Sequence, residues 1–200
     1  MRSLQYLKIY RSSIVMDDDD EVHIRVFKKR IKLKLHERIL VNHLVRNSKA
    51  IYNTSLYYAK KIIDKDPVFV KDYKEVLSKY PKIKSNFVTE NGLSLYMAEK
   101  YPNYKFMPNH LSQQTIKKAY KSIKSFWALH KVGLPANYPK FKPKNYRFNI
   151  FFTPFIMNTV EQNGCYFLRL SLGEHVKNNF PDYFKNQNFD GLNISVYTKD

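Results

Sequence analysis

The sequence predicts a mixed α+β fold: a small β-barrel-like unit carrying an inserted α-helical lobe. Three observations lead there. Ile31, Leu33 and Leu35 alternate with Arg30, Lys32 and Lys34, the two-residue period of a half-buried strand. From about Glu37 to Val132, apolar residues instead recur at helical intervals, with prolines marking the breaks. After Tyr146 the pattern returns to strands, and Asn163-Gly164 supplies the positive φ angles of a tight hairpin turn. Residues 22–36 and 133–200 would then form the β-rich unit, and residues 37–132 the helical lobe.

In chain order, residues 1–21 read as a flexible acidic tail, because the like charges of Asp17 to Glu21 repel one another. The strand that follows has one apolar and one cationic face. Leu40, Leu44, Ile51, Leu56, Ala59 and Ile63 mark the stripe of a helix reaching from Glu37 to Ile63. Asp64 to Pro67 break it. Phe69, Val70, Tyr73, Val76, Leu77 and Tyr80 mark a second helix, which Pro81 stops. A short helix is expected from Leu93 to Lys100. Asn109 or Ser112 would cap the next one, with Ile116, Ala119, Tyr120, Ile123, Phe126 and Trp127 facing inward. Trp127 could stack on a base as exposed aromatics do, but at helical spacing beside Phe126 it reads as core. Gly133 to Lys144 reads as a linker held extended by Pro139 and Pro143. Tyr146 to Phe152 reads as a strand, and Phe155 to Val160 with Cys165 to Leu172 as a hairpin. Residues 173–189 read as irregular, and Leu192 to Tyr197 as a last strand.

Composition narrows the function. Thirty-five Lys and Arg against 17 Asp and Glu give a formal net charge of +18, which points to nucleic acid or another anionic surface. At 44% hydrophobic residues the chain can still build a core. There is no run of ~20 apolar residues, so no membrane span is expected, and the first residues lack a secretory pattern. The single Cys165 reads as a small apolar strand residue. It cannot form an intrachain disulfide, which fits an intracellular setting. The six histidines are scattered, no Cys/His spacing suits zinc, and no Gly-rich phosphate loop occurs. No catalytic residue, metal or cofactor is assigned.

The charge is concentrated. Between Glu99 and Glu161 there are ten Lys, one Arg and no acid. A solvated helix face ordinarily mixes both signs, so a one-signed stretch of this length suits a polyanion. The candidate backbone-binding cations are Lys117, Lys118, Lys121 and Lys124 on the helix, Lys140, Lys142 and Lys144 on the extended linker, and Arg147 on the strand. Gln113 and Gln114 begin the helix. A glutamine offers both a donor and an acceptor to an adenine edge, and this reading is favoured for one of the two over a first-turn glutamine facing water, without distinguishing which.

A Lys-rich helix containing Gln113-Gln114-Thr115 and ending in Phe126-Trp127, then Tyr138-Pro139-Lys140-Phe141-Lys142, then an aromatic strand, resembles the TnpB family. These are the transposon-encoded OrfB proteins, relatives of the type V CRISPR effectors. Ile51-Tyr52-Asn53-Thr54-Ser55-Leu56 resembles a helix segment of the same family, and Arg30 to Leu35 its opening strand. The likeness covers about residues 24–172, thins over 82–109, and is most specific at Tyr138 to Lys142.

The resemblance implies that the β-rich unit and the helical lobe are the wedge and recognition lobes of an RNA-guided DNA endonuclease. It implies that Tyr52 and Asn53 lie against the target-adjacent duplex, a role compatible with the bundle packing by Tyr52 and the backbone hydrogen bond by Asn53 that the residues themselves suggest. The family's nuclease centre is a RuvC-like domain whose carboxylates hold metal ions. No such domain is recognised here, and Asp190-Gly191 does not follow the buried apolar strand that its first aspartate requires. The expectation is therefore a nucleic-acid-binding, non-cleaving N-terminal portion whose partners are DNA and a guide-type RNA. The alternatives are a decayed transposon remnant, a stand-alone basic regulatory binder without a guide, or a non-specific packing protein.

Overall fold

The computed structural model describes residues 6–16, 22–32, 34–83, 88–146, 148–150, 157–162, 165–181, 185 and 191–198. In order these form β1 (Tyr6–Met16), β2 (Val22–Lys32), α1 (Leu35–Ile63), α2 (Pro67–Ser78), α3 (Glu90–Lys100), a 3-10 turn (Pro102–Phe106), α4 (Asn109–Lys131), β3 (Met157–Gln162), β4 (Cys165–Ser171), α5 (Gly173–Asn179) and β5 (Gly191–Thr198).

The helical lobe forms where the apolar period places it. Leu40, Leu44, Ile51, Leu56 and Ala59 of α1 are fully buried, against Leu93 and Met97 of α3 and Leu111, Ile116 and Ala119 of α4. Burying side chains of this size contributes about 1.5–3 kcal/mol each for the larger ones. A smaller cluster joins Ile62 to Tyr73, Val76 and Leu77 of α2 and Tyr96 of α3. Its rim is polar: Asp72 accepts hydrogen bonds from the Tyr96 hydroxyl at 3.1 Å and the Lys100 ammonium at 2.8 Å.

Local chemistry sets the helix ends. The Lys34 backbone N–H donates to Glu37 at 2.6 Å, opening α1. Asp66 accepts from Val68 N and Pro67 occupies the first turn of α2. Thr89 accepts from Gly92 N at 3.0 Å to start α3. For α4 the expectation is corrected: Pro108 holds the cap position, and Ser112 is fully buried, its hydroxyl donating to the Tyr104 carbonyl at 3.4 Å.

The expected α+β barrel-like unit is not formed. Among residues whose side chains are described, 71% are helical and none lies in a strand, so the packed body is a helical bundle. The strands make two separate sheets, β1-β2 and β3-β4-β5. β1 is an unexpected part of this arrangement. Tyr6–Met16 falls within the stretch read as a flexible tail, yet it pairs with β2 antiparallel along all of β2, from Tyr6↔Lys32 to Met16↔Val22. Among the described residues β2 is hydrogen-bonded to β1 alone. The acidic run itself lies outside the described residues.

The later strands fall close to their expected places. β3 and β4 pair antiparallel, ending at Gln162↔Cys165, and β5 joins β4. Residues 173–179, read as irregular, form α5 instead. Val176 is fully buried in the main helical core, as is Leu172 just before it. The described part of Tyr146 to Phe152 is not a strand: residues 148–150 have no regular structure. Phe148 is buried in the helical core, which anchors this segment to the helices.

Candidate nucleic-acid interface

The site is built around an extended strap, residues 138–146, laid along α1. Three contacts hold it. The Tyr138 hydroxyl donates to the Leu56 carbonyl at 3.0 Å. The Asn53 amide donates to the Lys142 carbonyl at 2.9 Å and accepts from the Lys142 N–H at 2.8 Å. The Lys49 ammonium donates to the Lys144 carbonyl. Positions 49, 53 and 56 share one helix face, since steps of four and three return to the same side. The strap therefore runs antiparallel to α1, and Asn53 pairs with it as a neighbouring strand would.

Tyr52 turns the other way. It is 3% exposed, its hydroxyl lies 3.3 Å from the Ser122 hydroxyl of α4, and its ring tilts against Phe148 at 5.4 Å. Both members of the Tyr52-Asn53 pair thus have structural contacts within the chain: one locks α1 to α4, the other locks the strap to α1.

Two candidate lysines meet across this junction. The Lys142 ammonium sits 5.6 Å from the Tyr52 ring centroid and 4.9 Å from that of Tyr146. The Lys118 ammonium sits 4.8 Å from the Phe148 ring centroid. Aromatic faces attract cations, so both heads are placed and not left to wander. Partial burial pushes the Lys118 amine below the usual lysine range, and the nearby Lys142 charge pushes it further. An anion between or beside the two would relieve that repulsion.

The remaining candidates spread along the exposed side of α4. Lys121 and Lys124 are exposed and share a face with Lys117 at steps of four and three. Lys117 is partly neutralised by Glu90 at 3.5 Å. Gln113 is exposed and bonds the Tyr104 phenol, and Gln114 is half-buried. Lys140 and Lys144 are exposed on the strap, while Lys142 is half-buried. Arg147 lies outside the described residues.

Sequence reasoning missed Lys49 and Phe148 as strap and cation supports. The spacing of Lys49 four residues before Asn53 was the available signal. Trp127 is also corrected: expected in the core, it is 42% exposed near the end of α4, in edge contact with Phe126 at 5.4 Å. Among the described residues no group of three or more His, Cys, Asp or Glu could hold a metal, and no helix is long and apolar enough to cross a membrane. The chain matches no protein-family model and no curated protein.

Proposed function

We propose that this chain binds nucleic acid through its phosphate backbone, using the exposed face of α4 and the adjoining strap. The observation that carries the reading is the junction of Lys118 and Lys142: two ammonium groups held on aromatic rings, close enough for one to lower the proton affinity of the other. Lys117, Lys121 and Lys124 extend the positive surface along α4, and Lys140 and Lys144 along the strap. Backbone contacts of this kind supply affinity and register, not sequence choice.

In this reading the chain is the binding portion of a TnpB-like protein, with DNA and a guide-type RNA as partners and no cutting step of its own. The supporting contact is between the two family-like segments. Asn53 of the first and Lys142 of the second are 89 residues apart and directly bonded. A second reading, a stand-alone basic binder without a guide, is favoured by a different observation. The barrel-like unit implied by the resemblance is not formed, and Leu172 and Val176 pack into the helical core.

Sequencing the nucleic acid that co-purifies with the chain separates these. A discrete RNA species mapping beside its own gene supports the guide-binding reading. A broad mixture of RNA and DNA, lost together as salt rises, supports the stand-alone binder. A preparation free of nucleic acid that also fails to bind added RNA and DNA at low salt overturns both.

A further inference from the structure

A second feature lies between the helices. The end of α1, α2 and α4 flank an open groove of about 670 Å³. Ile62, Val70 and Ile123 give it an apolar wall, and Tyr120 and Trp127 add aromatic rings. Lys65, Lys74 and Lys124 also line it, and among the described residues no carboxylate does. Lys65 sits there at φ 58° as the left-handed residue that closes α1, with the Lys65 and Asp66 N–H groups donating to the Ile62 and Lys61 carbonyls. Trp127 is 42% exposed while still lining the cleft, so part of its indole remains open to a ligand.

An apolar and aromatic groove bordered by cations suits a flat apolar body attached to an anion. A nucleobase with its phosphate has that form. Lys124 belongs both to the cleft and to the basic face of α4, so a strand tracking that face passes the cleft mouth. We propose that the cleft takes one unstacked base of a single-stranded segment. Trp127 and Tyr120 would supply the stacking surface, and Lys65, Lys74 and Lys124 would meet the flanking phosphates. Stacking of this kind tolerates any base, because every base has a π-face. The inference rests on the nucleic-acid reading above and adds where a base, not only the backbone, is held.

Trp127 is the single tryptophan of the chain, so its fluorescence reports on the cleft directly. The test uses the full chain with oligo(dT) and with an abasic strand of the same length, following anisotropy of an end label and tryptophan emission together. The inference expects both strands to bind by anisotropy, with oligo(dT) alone quenching Trp127. It also expects Trp127→Ala to weaken oligo(dT) by roughly five-fold or more while leaving the abasic strand little changed. Val70→Trp read at the label, which fills the cleft from α2, should reproduce that selective loss. Binding of oligo(dT) without quenching, or equal losses for both strands, overturns the cleft and leaves backbone binding intact. Failure of both strands to bind overturns the nucleic-acid reading itself.

Discussion

Asn53 holds the main chain of Lys142 with both atoms of its amide, donating at 2.9 Å and accepting at 2.8 Å. A side chain that pairs like a strand fixes an extended segment to a helix without a sheet. It also presents Lys142 to the same junction as Lys118.

Replacing Asn53 with Ala removes both bonds and leaves a partly buried N–H and C=O without these partners. The expected loss is about 1–3 kcal/mol in chemical denaturation. Amide exchange at Lys142 should accelerate in the variant. Asn53→Asp keeps the acceptor and loses the donor, so it should fall between the two. Unchanged protection at Lys142 in Asn53→Ala would show that the strap is held elsewhere.

The lowered proton affinity of Lys118 gives a pH dependence of known sign. Its folded-state value lies below the ordinary lysine value, so the unfolded chain binds more protons in the window between the two. The stability contribution of this group therefore rises as pH rises through that window. Nucleic-acid binding should do the opposite, because phosphate favours the protonated amine and loses it as pH rises. Lys118→Gln should flatten both profiles, and Lys142→Gln should move the Lys118 titration upward.

Lys121 and Lys124 are exposed, so reversing them tests binding with little cost to folding. Lys121→Glu and Lys124→Glu should each stay within about 0.5 kcal/mol of the parent in stability. Each should reduce the salt slope of binding by about one if its ammonium touches a phosphate. A variant that weakens binding with no change in slope would place that lysine off the backbone.

Gly92 tests the packing of α2 on α3. A Cβ there would lie 2.2 Å from the Tyr73 hydroxyl oxygen and 3.1 Å from Leu77 Cδ1, both on side chains that are 1% exposed. Gly92→Ala should destabilise by about 1–3 kcal/mol despite the better helix propensity of alanine. Adding Tyr73→Phe removes the nearest clashing oxygen, leaving Thr89 Oγ1 at 2.9 Å, and should recover part of the loss in thermal unfolding.

The helices were legible because burial repeats along them. Leu40, Leu44, Ile51, Leu56 and Ala59 follow one stripe and all are buried. Trp127 broke the same rule: helical spacing fixes a direction around the axis, not how far the neighbouring helix extends to cover it. β1 was hidden behind the adjacent acidic run, whose repulsion argues for a tail but says nothing of Tyr6–Met16. Alternation told that residues near Ile31 form a strand, but its expected end does not hold: β2 stops at Lys32, Lys34 caps α1 and Leu35 opens it, exposed; nor does alternation carry a partner. The choice of β1 over the later strands was therefore unreadable. Of the two roles open to Asn53, backbone pairing is the one seen. Its partner 89 residues away has no local sequence signal.

The most direct measurement is the affinity of the full chain for a labelled duplex and a labelled single strand across a range of salt, with Lys118→Gln/Lys142→Gln alongside. Backbone binding through this face predicts a linear fall of log K with log salt. The slope should be about −0.9 per phosphate contacted on duplex and about −0.7 on a single strand, and shallower in the double variant. Affinity that does not change with salt, or a double variant with the parent's slope, would contradict it.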